Sequence, residues 1–398
     1  MSLDLPTRPR VKPLDGVLVV SLEQAVAVPY ATRLLADLGA RVIKVERPDG
    51  GDFARHYDTA CGSVSSYFAW TNVGKESLTL DLKHPAAREI LNRLVTTADV
   101  VLCNLSPGAA RRLAVDASSL RTVKPDLVIG ELSGYGTSGP YESRKAFDAL
   151  VQSEAGLVEL TGEGDVTARA GISVADIAAG VQLQSAVLAA LLHRSRTGEG
   201  ATLSLSLFEA MTEWMHQPML YAAGTGQAAP RTGAHHPSIA PYGPFPCADG
   251  AVHLAVQNDP QWRRLCTVLG RPELADDPRF GTVTSRVAHR PALHAELDFT
   301  PWTAADLIEA LDKADVPAAR TRSVADLPAH PQLTARDRLA DVPVPDGEIT
   351  VLRPPVDSTA WEWTPGPVPA LGEHTDHVLH GLGYSAERIA ALRTQSAI

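Results

Sequence analysis

The stretch VLVVSLEQAVAVPYATRLLADLGARVIKVERP, Val17 to Pro48, decides the fold. Val17 to Ser21 is an apolar, β-branched run that reads as a buried strand. Pro29 suits the first turn of a helix, Ala31, Leu34, Leu35 and Leu38 follow at helical spacing, and Gly39 ends it. Arg41 to Val45 returns as a strand. Parallel neighbours cannot be joined by a tight turn, so strand, helix and strand in this order predict a crossover and a parallel sheet.

The alternation continues outward from there. Ser77 to Leu82 reads as a strand, Pro85 to Thr97 as a helix, Asp99 to Leu102 as a strand, a short helix follows Pro107, and Asp126 to Glu131 is strand again. Helical patterns cover Phe147–Val158 and Val174–Arg194. The first half is therefore expected to be an α/β domain with helices on both faces of its sheet. Residues 223–249 are dense in Gly, Pro, His and Ser and read as a linker and entry loop. A strand at Ala251–Val256 with helices at Trp262–Gly270 and Thr303–Ala314 predicts a smaller α+β domain. Residues 340–370 are proline-rich and read as extended, and a last helix near Ser385–Thr394 is expected to pack back on the first domain. The predicted division is a large domain over 1–200, a linker helix over 201–224, a small domain over 225–330, and a returning segment over 331–398.

The composition is that of a globular protein, and 398 residues exceed what one compact core holds. The first dozen residues, with Pro6, Pro9 and Pro13, read as a loose arm. A net charge of -10 excludes a general nucleic-acid binder, which needs a basic surface. No apolar run approaches the ~20 residues that span a bilayer, so no membrane partner is expected. No apolar core of a secretory leader is visible near the N-terminus. The four cysteines are scattered without CxxC spacing, which fits reduced thiols in a cytoplasmic protein.

Gly134-Tyr135-Gly136-Thr137-Ser138-Gly139 matches GxGxxG after a strand. A dinucleotide site also needs a helix opening there to face the pyrophosphate, whereas Pro140-Tyr141-Glu142 follows without apolar periodicity. A loop whose glycines let backbone approach a substrate is the better reading. Arg47, Lys75 and Arg112 lie near strand ends, where parallel sheets bind ligands, and can serve a phosphate or simply be solvated surface charge. Thr161-Gly162-Glu163-Gly164-Asp165 is a carboxylate-bearing loop or a plain surface turn. Asp148 and Asp176 fall in helical patterns and read as caps or ion-pair partners. His235-His236 stands without an HxH or HExxH pattern, so no metal is expected. The absence of GxSxG speaks against an α/β-hydrolase.

Several long motifs in one order resemble the class III CoA-transferases, the family of formyl-CoA and carnitine CoA-transferases. They are Pro13-Leu14-Asp15-Gly16, Leu34 to Pro48, Gly74 to Lys83, Ala98-Asp99-Val100-Val101 with Asn104 and Pro107-Gly108, Ser133-Gly134-Tyr135-Gly136, Thr161-Gly162-Glu163 with Asp165, and Leu191 to Gly200. The resemblance implies a Rossmann-like large domain and a smaller domain in an interlocked homodimer. It implies no tightly bound cofactor, with coenzyme A and its thioesters as substrates. It places CoA against Ala25, Val26, Ala27, Arg47, Lys75, Asn104, Leu105, Ala109 and Arg112, and the acyl-accepting carboxylate at Asp165. It places Gly134, Tyr135, Glu163, His235 and His236 on the substrate side or in a lid. Some members carry glutamine at the position of Val26 and a run of glycines where this chain reads Ala234 to Ile239. The His-Pro-Ser form here resembles members that use succinyl-CoA with dicarboxylates. An α-methylacyl-CoA racemase shares the fold but needs a histidine where this chain has Phe147, and a non-catalytic CoA-binding protein is the other alternative.

Overall fold

The structure, a computed structural model, describes residues 11–398. Most of the proline-bearing arm lies outside the described residues; Pro13 sits in a turn closed by Lys12 N donating to Asp15. Six strands form one parallel sheet: β1 (Leu18–Leu22), β2 (Arg41–Glu46), β3 (Glu76–Thr79), β4 (Val100–Cys103), β5 (Val128–Ser133) and β6 (Thr202–Ser206). Their spatial order is β3-β2-β1-β4-β5-β6. This is the doubly wound order, and it reverses between β1 and β4. Helix α1 (Ala27–Asp37) crosses from β1 to β2. Val19, Val20, Val101 and Ile129 are fully buried, as expected of strands covered on both faces.

The chain forms two compact units. The larger contains the described residues up to Ala155, then Gly171–His216 and Leu333–Ile398; the smaller contains Gly156–Ala170 and Gln217–Gln332. Two differences from the expected division follow. Thr202–Ser206 is an edge strand of the main sheet rather than the start of a linker helix. The expected helix over Phe147–Val158 is split at Gly156, whose φ of 84° ends the Asp148–Glu154 helix. The smaller unit is a three-stranded antiparallel sheet (Tyr242–Cys247, Gly250–Ala255, Ala318–Arg320) with helices packed around Trp262, Phe280 and Phe299. Within the expected extended stretch, Leu339–Val344 and Gly347–Leu352 pair as a hairpin. The C-terminal helices, Thr375–Gly381 and Ala386–Thr394, bury Leu379, Ile389 and Leu392 in the same core as β1 to β5.

The helix Val174–Thr197 is, by length and hydropathy, long and apolar enough to cross a membrane, which the sequence reading did not anticipate. Here it lies along α1. The approach is so close at Gly180 that a Cβ there would sit 2.8 Å from the Ala27 carbonyl oxygen and 3.0 Å from the Tyr30 ring. Asp176 is one turn earlier on the same face, so this packing brings it to the N-terminus of α1.

Candidate active site

The loops after β1 and β4 flank the reversal point. Asn104 ties them together: its Oδ1 accepts from Gln24 N at 2.9 Å and its Nδ2 donates to the Gln24 carbonyl at 2.8 Å. Ala25 then takes a left-handed φ of 64°, a conformation that strains a residue with a Cβ. Val26, the N-cap of α1, provides no side-chain cap, so the first-turn N–H groups of α1 keep their donor capacity.

A cavity of about 880 Å³ opens at this point, lined by Ala25, Val26, Ala27, Asn104, Leu105 and Gly134 together with Phe53, Tyr57, Tyr67, Phe147, Asp148 and Asp176. All of them belong to the larger unit. Gly134 is required here, because a Cβ would lie 2.4 Å from that of Ala146. Tyr57 meets Phe53 and Tyr67 at ring centroid distances of 5.7 and 5.5 Å, giving one wall an aromatic face. Burial, with the negative charges of Asp52 and Asp176, pushes the Tyr57 phenol up to about 12, so it stays a donor at any working pH.

The two aspartates differ. Asp148 is fully engaged: Oδ1 accepts from Ala175 N at 2.9 Å and Oδ2 from the Gln152 amide at 2.6 Å. It thereby caps the Val174–Thr197 helix, which its own N-cap Ser173 does not. Asp176, in the first turn of that helix, accepts no hydrogen bond from the described residues. Burial, and then the like charge of Asp148, push its carboxyl up to about 7.

A second cavity of about 360 Å³ lies at the carboxyl ends of β1, β2 and β3 and shares Gln24 and Leu105 with the first. Leu22, Val45, Leu80, Leu82 and Leu113 make it apolar, with Arg47 and Lys83 as its cations. Beneath both runs a buried network of three carboxylates and three cations. Lys44 Nζ reaches Asp52 at 2.7 Å and Glu23 at 3.4 Å; Lys75 Nζ reaches Glu23 at 2.7 Å; Arg55 pairs with Glu46 at 2.8 Å. Burial alone would raise Glu46, but Arg55, Lys44 and Ser77 together bring it to about 2.

The sequence-derived residues therefore divide into groups. Ala25, Val26, Ala27, Asn104, Leu105 and Gly134 meet at the larger cavity, and Arg47 at the smaller. Lys75 lines neither cavity: its ammonium donates to Glu23, Asn72 Oδ1 and the Pro29 carbonyl, and its side chain is fully buried. Lys83 lines the smaller cavity and Lys145 the larger. Ala109 and the exposed Arg112 sit on the short helix Pro107–Leu113, whose Arg111 lines the larger cavity. Tyr135 packs edge-on against Tyr141 beside Gly134, in a stretch where turns precede the Asp148 helix; no helix opens at the GxGxxG match. Glu163, Asp165, His235 and His236 belong to the smaller unit. Asp165 is exposed at the turn of the Gly162–Thr167 hairpin, which Arg231 holds by donating to the Gly164 and Glu159 carbonyls at 2.7 Å. Glu163 bridges to Thr232 in the same unit. His235 packs at a tilt against His294 at 4.6 Å, and His236 stacks on Tyr242 at 5.1 Å. Sequence reasoning missed Tyr57 and Lys83, and it read Asp148 and Asp176 only as caps or ion-pair partners, which describes Asp148 but not Asp176; for Asp176 the available signal was an acidic residue opening a long helix whose apolar face contains a glycine.

A doubly wound sheet with a cleft at its reversal point is the arrangement in which α/β enzymes bind their ligands, and here the cleft holds a carboxylate without a hydrogen-bond partner among the described residues. The profile of CoA-transferase family III matches residues 14–375, and the chain belongs to that family. Among its relatives are the succinate–glutarate CoA-transferase of Agrobacterium fabrum, 37% identical over 94% of this chain and 96% of the relative, and the succinyl-CoA:mesaconate CoA-transferase of Haloarcula hispanica, 34% identical over 94% and 98%. The crystal structure of a CAIB/BAIF family protein from Brucella suis superposes with a TM-score of 0.86 at 36% identity, covering 93% of this chain and 99% of that one. The chain is a CoA-transferase.

Proposed function

We propose that the chain moves CoA from succinyl-CoA to a small dicarboxylic acid, and that Asp176 rather than Asp165 is the acyl-accepting carboxylate. One observation carries the assignment: of the two aspartates in the cavity, Asp148 has both oxygens engaged and Asp176 has none. A nucleophile needs a free lone pair. The donor and acceptor are taken from the names of the relatives.

The chemistry is a chain of acyl exchanges. The Asp176 carboxylate attacks the thioester carbonyl, the C–S bond breaks, and a mixed anhydride and CoA thiolate form. The thiolate attacks the aspartyl carbonyl, giving an aspartyl-CoA thioester and the free donor acid. The acceptor carboxylate attacks that thioester, forming a second anhydride and thiolate. Attack of the thiolate on the acceptor's carbonyl yields the new acyl-CoA and returns Asp176 as the carboxylate. The oxyanion of each addition needs fixed donors, and the first-turn N–H groups of α1 and the Tyr57 hydroxyl border the cavity. The smaller, apolar cavity suits a flat purine, with Arg47 and Lys83 for its phosphate. We infer a homodimer of threaded chains from the family resemblance; exposed Leu192, Trp214, Met219 and Leu220 are apolar surface that a second copy would cover.

The test incubates purified protein with succinyl-CoA and a panel of dicarboxylic acids and reads products by mass spectrometry. A new acyl-CoA, lost in Asp176→Ala and kept in Asp165→Ala, is the expected result. The opposite pattern would return the role to the hairpin.

A further inference from the structure

We infer that Asp52 is a positioning residue for the transfer reaction: it holds Ala25 in its left-handed turn and so aims the backbone N–H groups at the start of α1 into the cavity. The inference rests on the transferase reading of that cavity. Asp52 is 1% exposed and does not line the larger cavity, yet it braces two of that cavity's walls; its other side belongs to the wall of the smaller cavity. Its Oδ1 accepts from Ala25 N at 3.1 Å and from Ala54 N at 2.9 Å, the latter capping the short turn Phe53–His56 that brings Phe53 and Tyr57 to the cavity. Its Oδ2 takes the Lys44 ammonium at 2.7 Å, and its own N–H donates to Glu46 Oε1 at 3.0 Å.

A carboxylate fixed from three sides explains why Ala25, which is not glycine, keeps a φ of 64°. Such a conformation persists only where the surroundings over-determine it. The peptide after Ala25 leads straight into Val26 and Ala27, so the turn decides where their N–H groups point. If Ala25 relaxed to an ordinary negative φ, the donors would rotate away while the CoA-facing cavity at the ends of β2 and β3 stayed intact. The role thus predicts a loss in kcat with little change in KM for the CoA thioester.

The experiment combines kinetics and crystallography on four full-length variants: Asp52→Ala, Asp52→Asn, Asp52→Ala with Ala25→Gly, and Ala25→Val. With succinyl-CoA and glutarate, Asp52→Ala should lower kcat by about 30-fold, the scale of misplaced catalytic groups; because Asp52 also lines the smaller cavity, the KM comparison is read from Ala25→Val, where KM for succinyl-CoA should stay within about 3-fold. Asp52→Asn keeps an acceptor for Ala25 N–H and should retain most of kcat. Glycine adopts positive φ freely, so Ala25→Gly should recover about 10-fold in the Asp52→Ala background, which a merely structural role would not allow. Ala25→Val leaves Asp52 in place and should still lose kcat, because a β-branched residue resists that φ; it serves if Asp52→Ala fails to fold. The crystal structures need no substrate: Ala25 should turn to negative φ in Asp52→Ala or, failing that, in Ala25→Val. Failure of wild type to use this substrate pair would count against the substrate reading and leave the structures to decide. Ala25 holding its φ without Asp52, or an unchanged kcat in both Asp52→Ala and Ala25→Val, would overturn the inference.

Discussion

Asp176 carries a conflict between solvation and chemistry. As an anion it is poorly solvated and faces Asp148, which pushes it up to about 7, but it must be an anion to attack. The rate constant kcat/KM should therefore fall about tenfold per pH unit below about 7. Asp148→Asn removes the like charge and keeps an acceptor for Ala175 N, so the acid limb should move to lower pH; a limb that stays or moves up would contradict the coupling. Stability carries the same signature with a defined sign. A carboxyl with a raised folded-state pKa binds more protons folded than unfolded, so stability declines as pH rises from about 4 to about 7 and is flat above. Asp176→Asn should then stabilise the fold at pH 8 by ~1–3 kcal/mol, discounted for its partial exposure, and by nothing near pH 3, as urea titrations at the two pH values would show. Little of this was visible in the sequence. An Asp opening a helix reads first as a capping residue, and only the arrival of Asp148 from a distant segment to do the capping frees Asp176 for another task.

At the scale of elements, the site depends on how α1 meets the Val174–Thr197 helix. Gly180 sets that distance, since a Cβ would collide with the Ala27 carbonyl. Gly180→Ala should push apart Asp176 and the N–H groups of α1, lowering kcat about 10- to 100-fold with a smaller change in KM, measured by steady-state kinetics. Below the strand ends, Lys75 supports the network rather than the ligand. Lys75→Met leaves Glu23 with less compensation and should destabilise the fold by about 3–5 kcal/mol, with any loss of CoA affinity following from that; a stable protein with weakened CoA binding would contradict the buried role. The elements themselves were largely legible. Strands β1, β2, β4 and β5 read from apolar runs because both their faces are covered, and the edge strand β3 read from the alternation of Ser77 to Leu82. Thr202–Ser206 was not, because as an edge strand it alternates Leu with Thr and Ser and sits beside a strong helical pattern. The hairpin Leu339–Leu352 was hidden by its prolines, although Asp346-Gly347 is a turn signal.

For the whole molecule, the family resemblance supplied what periodicity could not. Composition and alternation led to two units and a parallel sheet; only the ordered motifs led to CoA. The same motifs pointed to Asp165, because a glycine-flanked carboxylate loop and a helix-opening carboxylate lie eleven positions apart and sequence alone does not say which one enters a cavity. If the chains thread through one another, the dimer should persist on dilution to nanomolar concentration in sedimentation experiments; an active monomer would refute threading. The central claim is that Asp176 becomes acylated, and tryptic fragments separate the candidates. Cleavage after Lys145, Arg169 and Arg194 puts Asp165 in the fragment 146–169, while 170–194 contains Asp176 as its sole carboxylate side chain. The decisive measurement is hydroxylamine trapping of the enzyme during turnover of succinyl-CoA, followed by mass spectrometry of those fragments. The account predicts a hydroxamate at Asp176 in 170–194; a hydroxamate in 146–169, with 170–194 unmodified, would contradict it.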